Sequence, residues 1–212
     1  MTKKYVITIG RQLGSGGAIT GKAIAEHFGF RYIDKEFLVI AAEKFGTSAE
    51  KMRNFEEKED VYWTSMVYTA MHVIPYIGQD WKVATNKPLF DAQTRILLES
   101  AEEESCVVIG RCGSYLFREH ENHVSIFLKG DMDSRVDRLE RTLGKKLDTS
   151  KDIKAIEKED RERANYYHLY TGREWMDMNE YDFVLDTSKL TDEQIKAIII
   201  GYIETKFPEL KK

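Results

Sequence analysis

At 212 residues, with 42% apolar and 32% charged side chains, the chain can bury a full core as one domain, in the ordinary composition range of soluble globular proteins. A formal charge of -4 argues against a protein whose main partner is a nucleic-acid backbone, although local basic sites can still bind phosphates. Cys106, Cys112 and the scattered histidines suit neither a disulfide framework nor a zinc site, and the longest apolar run, Ala197 to Ile203, is too short to span a membrane.

The first informative stretch runs from Val6 to Asp34. A β-branched run, Val6 to Ile9, stops at Gly10; a glycine-dense loop follows, and Ile19, Ala23, Ile24, His27 and Phe28 then recur at helical spacing. A short apolar stretch, Phe30 to Ile33, ends on Asp34 and closes a βαβ unit. Its loop suits an anion: glycines let main-chain N–H groups crowd a phosphate, and the helix N-terminus adds partial positive charge.

The P-loop pattern of Gly, four residues, Gly-Lys and then Ser or Thr fits in two registers. The first uses Gly16, Gly21 and Lys22, but Ala23 lacks the hydroxyl and Lys22 falls more than a turn into the helix. The second is preferred: the loop starts at Arg11, directly after the strand, runs through Gly14-Ser15-Gly16, and places Gly17 and Ala18 where Lys and Ser/Thr are expected. The phosphate lysine and the magnesium-binding hydroxyl are then both absent. Arg11 is the first choice of substitute cation and Lys22 the second. The competing interpretation is a plain turn, yet a simple βα joint does not require glycines that each cost up to roughly 1 kcal/mol relative to alanine. A dinucleotide site is disfavoured because Ile19 stands where a third glycine is needed.

Ile-Thr-Ile-Gly-Arg-x-x-Gly-Ser-Gly-Gly, followed by a helix ending Phe-Gly-Phe-Arg-Tyr-Ile-Asp, resembles the cytidylate kinase-like family of the nucleoside monophosphate kinase group. That family tolerates Gly17 where true CMP kinases carry lysine. The resemblance implies ATP and magnesium as cofactors, nucleoside monophosphates as partners, and a place for Asp34 beside the monophosphate site. Locally, Asp34 is equally a cap for the helix expected over Lys35 to Phe45.

Glu50 to Asp60 reads as a charged helical face, and Val61 to Ile77 as a helix rich in Tyr, Trp and Met. The resemblance assigns residues 47–88 to a monophosphate-binding helical insert, with Tyr62, Trp63 and Tyr68 as base-pocket candidates; core or interface packing is the simpler role for such a stripe. A helix is expected from about Leu89 to Glu104.

The run Cys106-Val-Val-Ile-Gly110 suits a central parallel strand, and Arg111 follows where ligands of such sheets bind. Its guanidinium can grip a phosphate in bidentate fashion; the alternative is a surface ion pair. In true cytidylate kinases the corresponding motif is Gly-Arg-Asp, so Arg111 carries over as a substrate-phosphate ligand, whereas Cys112 leaves the acidic role unfilled and no magnesium ligand identified. Nothing in the sequence supplies Cys112 with a base. His123 to Leu128 is a further strand, and the helix opening at Asp131 carries Arg135, Arg138 and Arg141 at three-residue spacing. Arg135 and Arg138 are either a basic wall over phosphates or partners of neighbouring carboxylates.

The polar segment 143–177 contains a helix expected over Ile153 to Tyr170, in which Arg161 and Arg163 occupy different faces. It resembles the lid of the monophosphate kinases, which makes Arg161 and Arg163 catalytic candidates and Arg173 a third; each is equally readable as part of a solvated helix. A last strand, Asp182 to Leu185, precedes a capping box of Thr191 and Gln194 and a helix through Lys206. Locally Asp186-Thr187-Ser188 is a turn, which in the resembled family borders the nucleotide-base pocket.

Strands alternating with helices imply an α/β fold, a three-layer α/β/α P-loop kinase domain with a five-stranded parallel sheet over residues 1–212. The implied reaction is transfer of the ATP γ-phosphoryl group to a nucleoside monophosphate, CMP or dCMP favoured by resemblance. The alternatives are a nucleotide-binding sensor without catalysis, or a kinase of another small molecule. Without a visible signal peptide, the cytoplasm is the expected location.

Overall fold

An unbroken β-branched run needs apolar cover on both faces. In the computed structural model, which describes residues 3–34, 87–147 and 149–211, the first such run obtains it. Strand β1 (Val6–Arg11) is the middle of a parallel sheet that also contains β2 (Arg31–Ile33), β3 (Cys106–Ile109), β4 (His123–Lys129) and β5 (Phe183–Asp186), in the order β2-β3-β1-β4-β5. Pairing of Val6 with both Cys106 and His123 brings the carboxyl ends of β1, β3 and β4 to one edge.

Alternation along the strands divides the core in two. Ile7, Ile9, Val107, Ile109 and Ile126 face Ile24 of α1 (Gly17–Phe28) and Ile195, Ile199 and Ile203 of α6 (Asp192–Lys206). Val6, Val108 and Ile33 face Ile96, Leu97 and Ala101 of α2 (Lys87–Glu103). Each fully buried aliphatic side chain contributes about 1.5–3 kcal/mol, so the central strands are the most strongly held part of the sheet. Three further helices, α3 (Gly113–Leu116), α4 (Met132–Leu143) and α5 (Thr149–Thr171), lie towards the carboxyl edge and shape the site.

The expected strands and parallel sheet are present, with β5 one residue later than expected and β4 one longer. Helix α6 carries the anticipated Thr191–Gln194 capping box and runs to Lys206. Helix α5 starts four residues before Ile153, and Asp152 puts a carboxylate in its first turn, where the helix dipole favours one. Helix α3 had no periodic signal, since it is a single short turn. The helix expected at Lys35 to Phe45 and the aromatic candidates Tyr62, Trp63 and Tyr68 lie outside the described residues; the last two positions of the 47–88 insert open α2. Among the described residues, no helix is long and apolar enough to cross a membrane.

Candidate phosphate-binding site

The loop between β1 and α1 follows the strand directly, as the second P-loop register requires: residues 12–16 turn the chain, and α1 opens at Gly17. Gly14 and Gly16 have φ of 81° and 88°, left-handed values that disfavour side chains. Gly14 also has no room for one, since a Cβ there would lie 2.6 Å from the Arg135 carbonyl oxygen. Ser15 is fully buried and its hydroxyl donates to the Gln12 carbonyl at 2.8 Å, so it shapes the loop. The first N–H groups of α1, at Gly17 and Ala18, have no acceptor within the helix and add to its positive end. Lys22 sits exposed within α1.

Both edges of this loop are clamped. The Asp160 carboxylate of α5 accepts from the Leu13 N–H at 2.8 Å and pairs with Arg135, whose Nε donates to the Leu13 carbonyl at 2.6 Å. Burial leaves the Asp160 carboxyl raised on balance, although Arg135 and the Leu13 N–H act to lower it. Arg138 donates to the carbonyls of Gly14, Thr187 and Leu190 and pairs with Asp192 at 3.1 Å. Arg135 and Arg138 are therefore buried braces of the loop; their guanidinium groups are taken up by carbonyls and carboxylates, and the phosphate-wall alternative does not hold for them.

Three other arginines converge at the carboxyl ends of β1 and β3. The half-buried Arg11 guanidinium lies within electrostatic reach of Arg163, Arg111, Asp34 and Tyr32. Burial above all, and then Arg163 and Arg111, push it down to about 10 from 12.5, an ionic environment that an anion would relieve. Arg163 donates to the Arg11 carbonyl at 3.0 Å and pairs with Glu159 one turn earlier at 3.0 Å. Arg111 follows Gly110 in an unusual backbone: Gly110, Arg111 and Cys112 all have positive φ, at 70°, 54° and 54°. For a residue with a Cβ this costs roughly 1–2 kcal/mol, strain of the kind stored at binding sites. It sets the Arg111 guanidinium against the Tyr166 hydroxyl, whose own ionisation burial raises to about 12. Asp34, after β2, accepts from Tyr32 at 3.3 Å.

Not every candidate comes to this cluster. Arg161 is exposed and pairs with Glu157 on its own helix at 3.7 Å, and Arg173 pairs with Glu180 at 2.7 Å on the surface. Cys112 is buried and its thiol is pushed up to about 12 by burial, which makes it a packing residue beside Tyr167 and Trp175. Sequence reasoning missed Asp160 as the loop's partner; its three-residue spacing from Arg163 was the available signal, since both then address the loop from one helix. An open cavity of about 430 Å³ adjoins Arg138, bordered by Ser134, Leu190 and Thr191 and by charged side chains, Asp137, Glu140 and Lys189 among them.

The glycine loop and arginine cluster fit the phosphates of a nucleotide. For magnesium, the described residues contain no group of three His, Cys, Asp or Glu side chains able to hold an ion, Ala18 offers no hydroxyl and the Ser15 hydroxyl is occupied. Asp34 lies within electrostatic reach of Arg11 while Glu159 is paired with Arg163, so an ion there would rely on phosphate oxygens and water.

A glycine loop running from the central strand into a helix, on a parallel sheet in this order, defines a P-loop kinase-type phosphotransferase fold. A solved structure of an uncharacterized protein from Eubacterium ventriosum superposes with a TM-score of 0.68 at 24% identity, covering 95% of this chain and 99% of that one. Shikimate kinase from Bacteroides thetaiotaomicron gives a TM-score of 0.52 at 16% identity over 95% and 98% of the two chains. The chain belongs to the cytidylate kinase-like family, whose model matches residues 6–189. A cytidylate kinase from Pyrococcus horikoshii is 27% identical over 204 residues, 95% of this chain and 89% of that protein.

Proposed function

We propose that this chain transfers the γ-phosphoryl group of ATP to a nucleoside monophosphate, with CMP or dCMP the first acceptors to test. The observation that carries this function is the convergence of Arg11, Arg111 and Arg163 on the mouth of a glycine loop. Phosphoryl transfer asks little covalent chemistry of a protein; it asks for cations placed where charge develops on the moving group. An acceptor phosphate oxygen forms the new bond to the γ-phosphorus while the bond to the β–γ bridging oxygen breaks, and ADP carries away the charge.

In this scheme Gly14, Ser15, Gly16, Gly17 and Ala18 form the cradle for the ATP phosphates. Arg11 stabilises the transferred group, Arg163 joins it by exchanging its Glu159 partner for the phosphate, and Arg111 with Asp34 faces the acceptor. Arg161, exposed and paired with Glu157, takes no part unless α5 rotates. The cavity beside Arg138 and Leu190 would take the base and ribose of ATP, since Lys189 and Thr191 of the β5–α6 turn border it next to the loop. Residues 1–212 then form a single domain, with 143–177 as the lid and 47–88 as the acceptor-binding insert.

The test is direct detection of nucleoside diphosphate from ATP, magnesium and a panel of monophosphates, using the wild-type chain. Formation of CDP or dCDP in preference to other products supports the proposal. Failure with every monophosphate, in a sample that still binds ATP, refutes it and points to another small-molecule acceptor or to binding alone.

A further inference from the structure

The loop lacks its lysine, and the path of Arg11 accounts for the loss. A Cβ built on Gly17 would lie 2.6 Å from Arg11 Cγ and 2.7 Å from Arg11 Cβ. These are the root of the arginine side chain, which cannot swing aside without moving β1. Further out, the Arg11 guanidinium Nη1 occupies the place that a Cβ on Gly110 would take. Arg11 thus leaves the end of β1, crosses the head of α1 over Gly17 and ends over Gly110 at the end of β3. Both glycines present a face without a side chain to the same arginine. Gly17 itself has no positive φ, so its backbone would accept alanine; only the space is taken.

We propose that the phosphate-binding cation of this loop has moved from the helix head to the strand end, and that residue 17 is glycine because Arg11 fills the channel that leads from it to Gly110. The inference rests on the nucleotide-binding function proposed above and deepens it: Arg11 and position 17 form one exchangeable unit, in which either residue 17 or residue 11 can carry the charge but not both. A lysine at 17 is excluded while Arg11 is present, and it becomes acceptable once Arg11 is cut back to glycine. Burial and the flanking Arg163 and Arg111 add a reason for Arg11 to take an anionic ligand.

Two double-mutant cycles test this. The first reads thermal stability alone, with Gly17→Ala and Arg11→Gly singly and together, glycine being needed at 11 because alanine would keep the Cβ that lies 2.7 Å away. With Arg11 in place, G17A should lower the melting temperature; in the R11G background the same change should leave it unchanged or raise it, because alanine is the better helix former. Equal effects of G17A in both backgrounds would overturn the channel. The second reads ATP affinity by calorimetry, with R11G, Gly17→Lys and the double variant. Loss of a charged hydrogen-bonding group is expected to weaken ATP binding by tenfold or more in R11G. G17K should fail similarly through the clash, and R11G/G17K should bind more tightly than either single variant. ATP binding by R11G at wild-type affinity, or a double variant no better than the worse single one, would overturn the exchange. If both cycles couple as expected while the wild-type chain phosphorylates no monophosphate, the acceptor assignment fails and the Arg11 channel stands.

Discussion

Replacing Asp160 with alanine should destabilise the protein and loosen the glycine loop in one step. The carboxylate is 7% exposed, accepts from the Leu13 N–H at 2.8 Å and is the ionic partner of Arg135, itself 4% exposed. Removing one member of a buried ion pair typically costs about 3–5 kcal/mol, because the remaining charge is left without compensation. Losing the acceptor for the Leu13 N–H alone would cost about 1–3 kcal/mol. The same side chain supplies both contacts and Arg135 keeps its bond to the Leu13 carbonyl, so the effects overlap and about 4 kcal/mol is expected in total. Asp160→Asn retains an acceptor while discarding the charge and should fall roughly midway. The assay is urea unfolding at neutral pH for wild type, D160A and D160N, together with ATP affinity where each variant is folded. A D160A loss below about 1 kcal/mol at unchanged m-value would refute the bracing role, since it would mean that water already solvates Arg135.

Other expectations follow from single contacts. Gly14→Ala should lower the melting temperature, at a cost of about 2–4 kcal/mol from the left-handed φ and from overlap with the Arg135 carbonyl; an unchanged midpoint would show that the loop readily gives way. His123 is buried against Thr8, with which it hydrogen-bonds at 2.8 Å, and burial pushes its pKa from 6.5 down to about 4. It is neutral in the folded chain while the unfolded chain takes up a proton, so stability should fall as pH drops from 6.5 towards 4, by up to about 3 kcal/mol. His123→Gln should remove that part of the slope, and an identical slope in both proteins would contradict it. Cys106 and Cys112, buried with thiols raised to about 12, should resist iodoacetamide in the native protein at pH 8 and react once unfolded; fast native labelling of Cys112 would count against its packed position. Arg163→Ala should reduce turnover at least tenfold, and Arg161→Ala should stay within about twofold. Equal losses would mean that α5 presents both arginines to the site.

Much of the architecture is local enough to be legible in the chain. The β-branched runs, the Thr191–Gln194 capping box and the glycines after Ile9 each impose a conformation on their immediate neighbours, and the structure places strand, helix and loop accordingly. Residue type also marked the candidate phosphate site: glycines beside Arg11, and Arg111 after a buried strand, are informative without knowledge of what packs around them. The roles of the other arginines were not legible. Arg135, Arg138, Arg161 and Arg163 all stand on helices at regular spacing, and spacing shows which residues share a face without showing what that face meets.

The sequence by itself determined the βαβ start, the parallel α/β character, the P-loop register and the family resemblance, because these depend on propensity, periodicity and backbone freedom over a few residues. Only the tertiary structure decided the strand order, the assignment of Arg135 and Arg138 to carbonyls and carboxylates of the loop, the exposure of Arg161, and the passage of Arg11 between Gly17 and Gly110. Those outcomes join residues far apart in the chain, as where Arg163 meets the Arg11 carbonyl across 152 positions. Contacts of that kind are set by how the sheet edge gathers distant loops, and a charge is spent on the protein or left for a ligand according to what that packing brings beside it.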